Sequence, residues 1–214
     1  MSSRWFEQDA LAVAPALLGA RLRVSEGAGA VVVRLTEVEA YRGVDDPGSH
    51  AYRGPTRRNG AMFLPGGVLY VYLSYGMHHC VNVVCGPGGE AAAVLLRAGE
   101  VVDGIELARQ RRPAARRDAD LARGPARLAA ALGLGLGDDR APIAQGTRVS
   151  LLGLGAALES HRTGPRVGVS GAGGGPEFSW RFWLPGDPTV SSYRPARPRG
   201  AAVRGRTRPA GTAD

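Results

Sequence analysis

A single α+β domain with a mostly antiparallel sheet is the fold class that these 214 residues predict. Three observations carry that expectation. The length suits one domain. A composition that is 44% hydrophobic and 21% charged provides for a packed core. Strand-like runs broken by Gly- and Pro-containing turns follow one another, with only short helical stretches set among them.

The elements follow in order. Asp9 suits an N-cap for a helix over residues 10–18, which Gly19 ends. Residues 21–24 and 30–39 read as strands around a turn at 26–29. A loop rich in Gly, Pro, Asp and Arg then runs from 42 to 67, and a loop of this length with little apolar periodicity points to function. Residues 68–73 alternate Tyr70 and Tyr72 against Leu69, Val71 and Leu73. Ser74-Tyr75-Gly76 follows as a turn and 77–84 as a second strand, so the pair forms a β-hairpin with a tyrosine at its tip. A turn at 86–90 leads to a strand over 91–97, ended by Arg97. Helices are expected at 104–112 and 125–132, the second with Pro125 at its first position and Gly133 just past its end. Later strands are expected at 149–152, 166–169 and 178–184. The glycine-rich piece at 171–175 lacks the strand–helix context of a dinucleotide site. The domain is expected to occupy 1–193, followed by an Arg/Pro/Gly-rich, disordered tail at 194–214.

Composition excludes several classes. No apolar run approaches the ~20 residues of a membrane span, and the N-terminus lacks the apolar stretch of a signal peptide. A cytoplasmic protein is expected. Cys80 and Cys85 form neither a CxxC pair nor a disulfide framework. The formal charge of +8 is unevenly spread: six arginines against Asp214 give the tail +5, leaving +3 for residues 1–193. All 27 basic residues are arginine, a usage that suits a GC-rich prokaryotic genome. Without lysine no side-chain Schiff base and no P-loop lysine can exist. Arginine clamps, orients and stabilises but hardly titrates.

Chemistry-bearing residues crowd into 36–82. Glu37 and Glu39, two apart on a strand, project from one face, and Tyr41 continues it. A carboxylate there can deprotonate water, although a solvated strand face is the common fate of such a pair. Tyr75, a large amphipathic ring at a hairpin tip, suits a wedge that enters a DNA groove and fills the gap left by an unstacked base; a surface tyrosine is the plainer alternative. His50, His78, His79 and Cys80 match no familiar zinc spacing, and no metal or other cofactor is expected. Ser49, His50 and Asp46 offer the parts of a triad without a nucleophile elbow. Arg97 is either a surface arginine or one that orients water or binds phosphate.

The segments Thr36 to Tyr41, Ser49-His50, Arg58-Asn59, Met62-Phe63, Tyr70 to Asn82, Ala93 to Ala98, Gly124-Pro125 and Arg166-Val167-Gly168-Val169 resemble, in order and spacing, the alkyladenine (3-methyladenine, or methylpurine) DNA glycosylases. The resemblance spans roughly residues 8 to 190 and is most specific in the Glu-x-Glu-Ala-Tyr motif and the hairpin. It implies a curved sheet with the hairpin protruding. It implies that Glu39, not Glu37, is the water-activating base, with Arg97 helping to hold the water. Tyr41, His50 and Tyr72 would wall the base pocket, Asn82 would screen the purine's exocyclic group, and Tyr75 would intercalate. Arg58, Met77 and Arg127 would add DNA contacts, Arg127 standing where a lysine is usual. The backbone at 167–169 would close on the catalytic water. The implied partner is double-stranded DNA containing damaged purines, met by a monomer at the nucleoid. The implied reaction is monofunctional base excision: alkylated or deaminated purines are flipped from duplex DNA and their N-glycosidic bond is hydrolysed, leaving an abasic site.

Two other readings remain at the level of sequence. A carbohydrate glycosidase would use Glu37 and Glu39 as its pair, but neighbours on one strand sit side by side rather than flanking a scissile bond. A non-enzymatic nucleic-acid-binding module accounts for the arginines and Tyr75 and leaves Glu39 idle.

Overall fold

The computed structural model describes residues 3–27, 29–154 and 160–196. It is an α+β domain around one open, mostly antiparallel sheet of eight strands. In chain order come α1 (Ala10–Leu17), β1 (Arg21–Glu26), β2 (Gly29–Tyr41), β3 (Leu69–Ser74), β4 (His78–Val84), β5 (Ala93–Asp103), α2 (Ile105–Arg111), α3 (Pro125–Leu132), β6 (Val149–Leu152), β7 (Arg162–Gly164) and β8 (Arg181–Trp183). The strands lie in the order β3-β4-β5-β2-β1-β6, and β8 pairs with the far half of β2 and with β7. Among the described residues no helix is long and apolar enough to cross a membrane.

Local chemistry explains most element ends. The Asp9 side chain accepts from the Leu11 N–H and starts α1. Pro125 opens α3 and Gly133, at φ +69°, closes it in the left-handed conformation. The β3–β4 turn has positive φ at both Tyr75 (51°) and Gly76 (72°), the twist that suits a tight hairpin.

β2 carries the architecture. Val31, Val33 and Leu35 face the core, and after Leu35 the parity changes to Val38 and Ala40. The change comes from an irregularity between β2 and β5. Leu35 pairs with Gly99 and Glu37 with Ala98, passing over Thr36; Val38 then pairs with Leu96, passing over Arg97. A one-residue slip turns side chains to the opposite face, and here two slips restore the register. Gly99 permits the close approach, since a Cβ there would lie 2.3 Å from Val33 and 2.5 Å from the Arg34 carbonyl oxygen. The core face packs on all three helices through Leu17, Leu128 and Leu132, among others. Glu37, Glu39 and Tyr41 occupy the other face, as their spacing predicts.

Three expectations need correction. Arg97 does not end β5; the strand runs on to Asp103, so Arg97 is buried inside the sheet. Residues 166–169 are not a strand. Gly168 has φ +73°, the Val167 N–H is taken by a side chain, and the strand of this region is β7, four residues earlier. The strand expected at 178–184 contracts to Arg181–Trp183, because Pro176–Phe178 forms a 3-10 turn. The tail from 197 onward lies outside the described residues.

Candidate active site

A cavity of about 520 Å³ opens between the hairpin, the ends of β2 and β5, and the 167–170 turn. It is large enough for a purine-sized ligand. Glu39, Tyr41, His50, Tyr72, Tyr75, Asn82 and Arg97 all line it, so seven of the residues named from sequence converge although they span positions 39 to 97. Arg58 stands behind one wall, its guanidinium 5.2 Å from the Tyr72 ring and donating to the Leu73 carbonyl at 2.9 Å. Met77 is exposed beside Tyr75 at the hairpin tip. Arg127 lies on the exposed side of α3, outside the cavity lining.

The two acids differ sharply. Glu37 is fully buried behind the cavity and takes four donors: Oε1 accepts from Arg97 Nε (2.8 Å), Arg181 Nε (2.7 Å) and Ser191 Oγ (3.0 Å), and Oε2 from the Ser191 N–H (2.7 Å). Burial raises its pKa, but Arg97, Ser191 and Arg181 outweigh that and hold it below the ordinary value of 4.5. Glu39 Oε1 accepts from the Val167 N–H at 2.7 Å and lies 3.3 Å from Arg97 Nη1. Glu39 Oε2 takes one donor, the Tyr41 hydroxyl at 2.8 Å, and retains accepting capacity. So only Glu39 lines the cavity with a carboxylate oxygen still able to take a water. Glu37, fully buried and absent from the cavity lining, is not placed to serve as the second acid of a carbohydrate glycosidase.

Arg97 links the two, and its charge is secure: burial lowers its pKa, but Glu39 and Glu37 raise it further. Burial, and then Glu39, pushes Tyr41 far above its ordinary range, so its hydroxyl stays a donor. The aromatic wall is built from stacked hairpin residues. Tyr70 and Tyr72 stack at 5.3 Å, and His50 packs edge-on against Tyr72 at 4.6 Å. His50 Nδ1 bonds the Tyr70 hydroxyl at 3.0 Å. Partial desolvation against Tyr70 and Tyr72, and then Arg58, lowers the His50 pKa, although the residue as a whole remains exposed to solvent. Asn82 Nδ2 donates to the Tyr70 carbonyl at 3.0 Å, which fixes the amide in the wall.

The match to a known family runs through almost the whole chain. Residues 4–188 match the family model described as methylpurine-DNA glycosylase. The chain belongs to the methylpurine-DNA glycosylase family. It is a DNA glycosylase, a DNA-binding hydrolase of DNA repair. A relative from Leifsonia xyli subsp. xyli is 57% identical over 194 residues, covering 88% of this chain and 90% of its own. One from Streptomyces avermitilis is 52% identical over 202 residues, covering 93% and 94%. One from Nocardia farcinica is 55% identical over 203 residues, covering 88% and 90%. Each is provisionally named a 3-methyladenine DNA glycosylase.

Other parts of this glycosylase are visible only in three dimensions. Asp46 and Arg166 form a fully buried two-pronged ion pair (2.5 and 2.6 Å), and Arg166 also donates to the Ala40 and Gly173 carbonyls. Its guanidinium lies 4.5 Å from the Tyr41 ring and braces the pocket wall from behind. Asp46 is therefore committed to Arg166, and the Ser49 hydroxyl accepts from the Ala51 N–H, so no triad forms with His50. Among the described residues no group of three or more His, Cys, Asp or Glu could hold a metal ion. Arg181 and Ser191 had no sequence signal, since each acts through partners about 144 and 154 positions away.

Proposed function

We propose that this glycosylase removes alkylated purines of the 3-methyladenine type from duplex DNA, using water activated by Glu39. The observation that carries the reading is the contrast between the two acids: Glu37 is fully buried behind the cavity with four donors on its carboxylate, while Glu39 lines the aromatic cavity with accepting capacity left on Oε2. The provisional naming of the relatives supports the substrate class.

A base inside a duplex is out of reach, so it must swing out at a cost of a few kcal/mol. Tyr75, 91% exposed at the hairpin tip, fills the vacated stack. The flipped base enters between Tyr41 and the Tyr72–His50 wall, where tyrosine faces attract a cationic alkylated ring. Asn82 excludes bases bearing guanine's 2-amino group. The water oxygen bonds to C1′ of the sugar as the C1′–N bond breaks, and its electron pair leaves with the base. A proton passes from the water to Glu39. A base that was cationic in DNA departs neutral. Arg97 holds the carboxylate and the water in place, and Arg58, Met77 and Arg127 add to the grip on DNA. With no lysine for a side-chain imine, the product is an intact abasic site. The enzyme acts as a monomer in the nucleoid of the cytoplasm.

Alkali treatment tests the reading. Wild-type protein incubated with an alkylated duplex should give alkali-labile breaks, and Glu39→Gln should lose roughly 100-fold or more of the rate. Wild-type release by Glu39→Gln removes Glu39 as the base. Tight binding by the wild type with no release removes the catalytic reading altogether.

A further inference from the structure

Glu37 has no part in the proposed bond cleavage, yet it is among the most heavily bonded side chains near the cavity. Burying an acid among guanidiniums carries a large desolvation penalty, and apolar residues of similar volume often pack at lower cost. The beneficiary is Arg97. Arginine is long and has many rotamers. Its Nη1 meets Glu39 at 3.3 Å while its Nε is fastened to Glu37 at 2.8 Å and its Nη2 lies 3.4 Å from Ser191 Oγ.

A second observation concerns residues 187–194, which lie against β2 as a strap. Asp187 pairs with Arg34 at 2.7 Å, the Thr189 hydroxyl meets that of Thr36 at 2.8 Å, and Ser191 caps Glu37. Arg181 Nη2 donates to the Ser191 carbonyl at 3.0 Å. The strap then reaches the Arg194 carbonyl, which accepts from the Gly168 N–H at 3.1 Å, one residue from the Val167 N–H that binds Glu39. It therefore touches both the back of the acid pair and the turn over Glu39. The family match ends at residue 188, before Ser191.

We propose that Glu37, clamped by Arg181 and Ser191, is a positioning residue for glycosidic bond hydrolysis, and that the 187–194 strap is the back wall of the catalytic centre. The inference rests on the reading of Glu39 as the base. Glu37 and Glu39 against Arg97 and Arg181 make a buried quartet of zero net charge. Glu39 is also faced by Tyr41 from its own strand and by Tyr72 and Cys80 from the hairpin. Arg166 faces it from the 166–169 turn, neutralised by Asp46.

The test is single-turnover excision from an alkylated duplex across the acidic pH range, with duplex affinity and Tm measured on the same proteins. Arg181→Met should slow base release about 10- to 100-fold, the usual cost of removing a partner that orients an active-site group. Duplex affinity should not change, and Arg181→Lys should restore most of the rate. Losing a positive charge makes a carboxylate of the quartet easier to protonate, so the acidic limb of the profile moves to higher pH. Glu37→Gln loses a negative charge and moves the limb to lower pH. A purely structural role lowers Tm and the active fraction in both variants and moves the limb in neither, which overturns the inference. Ser191→Ala keeps every charge and the Ser191 N–H, and answers the question if Arg181→Met does not fold. It should slow release several-fold, and a wild-type rate overturns the inference. If these variants behave as wild type while Glu39→Gln is inactive, the positioning role falls and the base assignment stands. If Glu39→Gln releases base normally, the base assignment falls and the positioning role with it.

Discussion

Glu37 and Glu39 carry the same functional group two positions apart, and their partners alone separate them. Glu37 meets two guanidiniums and both donors of Ser191; Glu39 meets one guanidinium, one N–H and one hydroxyl. The Tyr41 hydroxyl donates to Glu39 Oε2 at 2.8 Å besides lining the cavity, which would let it orient that carboxylate. Tyr41→Phe keeps the ring and removes that donor. It should lower the single-turnover rate about tenfold, the worth of a hydrogen bond to a charged group, with duplex affinity intact. Equal rates for Tyr41→Phe and wild type would show that the hydroxyl does not orient the base.

The hairpin is the element in which stability and function pull apart. Tyr75 holds φ +51°, a conformation that disfavours a bulky non-glycine residue. Nothing in the fold needs its ring, which is 91% exposed. Tyr75→Gly removes the backbone strain, of order 1 kcal/mol, so Tm should hold or rise. Excision from duplex should fall steeply, because no ring fills the vacated stack. Thermal melting and duplex turnover measured together check this, and full duplex activity in Tyr75→Gly would end the wedge role. The β2–β5 pair teaches a different lesson. Two compensating slips around Thr36 and Arg97 place Glu37 and Glu39 opposite the core and leave Arg97 outside the regular pairing, so the face that carries both acids depends on irregularities in the ladder.

Across the whole molecule, buried charge makes stability depend on pH. The His50 pKa lies below its ordinary 6.5, so unfolding takes up a proton and stability is lost as pH falls from 6.5 toward the folded value. Glu37 lies below its ordinary 4.5. Its contribution is present above 4.5 and lost as pH falls through the folded value. Asp187, held below 3.8 in spite of burial by Thr189 and Arg34, acts with the same sign. Solvent around the exposed His50 keeps its part small, so Tm should be flat near neutrality and decline mainly below 4.5, as the contributions of Glu37 and then Asp187 are lost. A Tm that rises from neutral to mildly acidic pH contradicts this account.

The chain alone determined the α+β class, the N-cap at Asp9, the Pro125–Gly133 helix and the hairpin with Tyr75 at its tip, because each rests on periodicity or on neighbours a few positions apart. It also determined that Glu37, Glu39 and Tyr41 share a face, since strand alternation dictates it. Only the tertiary structure decided which groups those residues meet. Arg97 entered the sheet because β5 continued past it, and 166–169 became a turn because the Val167 N–H and the Arg166 guanidinium found buried partners on and beside β2. Hydrogen bonds between Glu37 and residues 97, 181 and 191 join positions with no local sequence relation. Periodicity reports which way a side chain points; only packing brings together the charges that enclose one carboxylate and leave the other on the cavity wall.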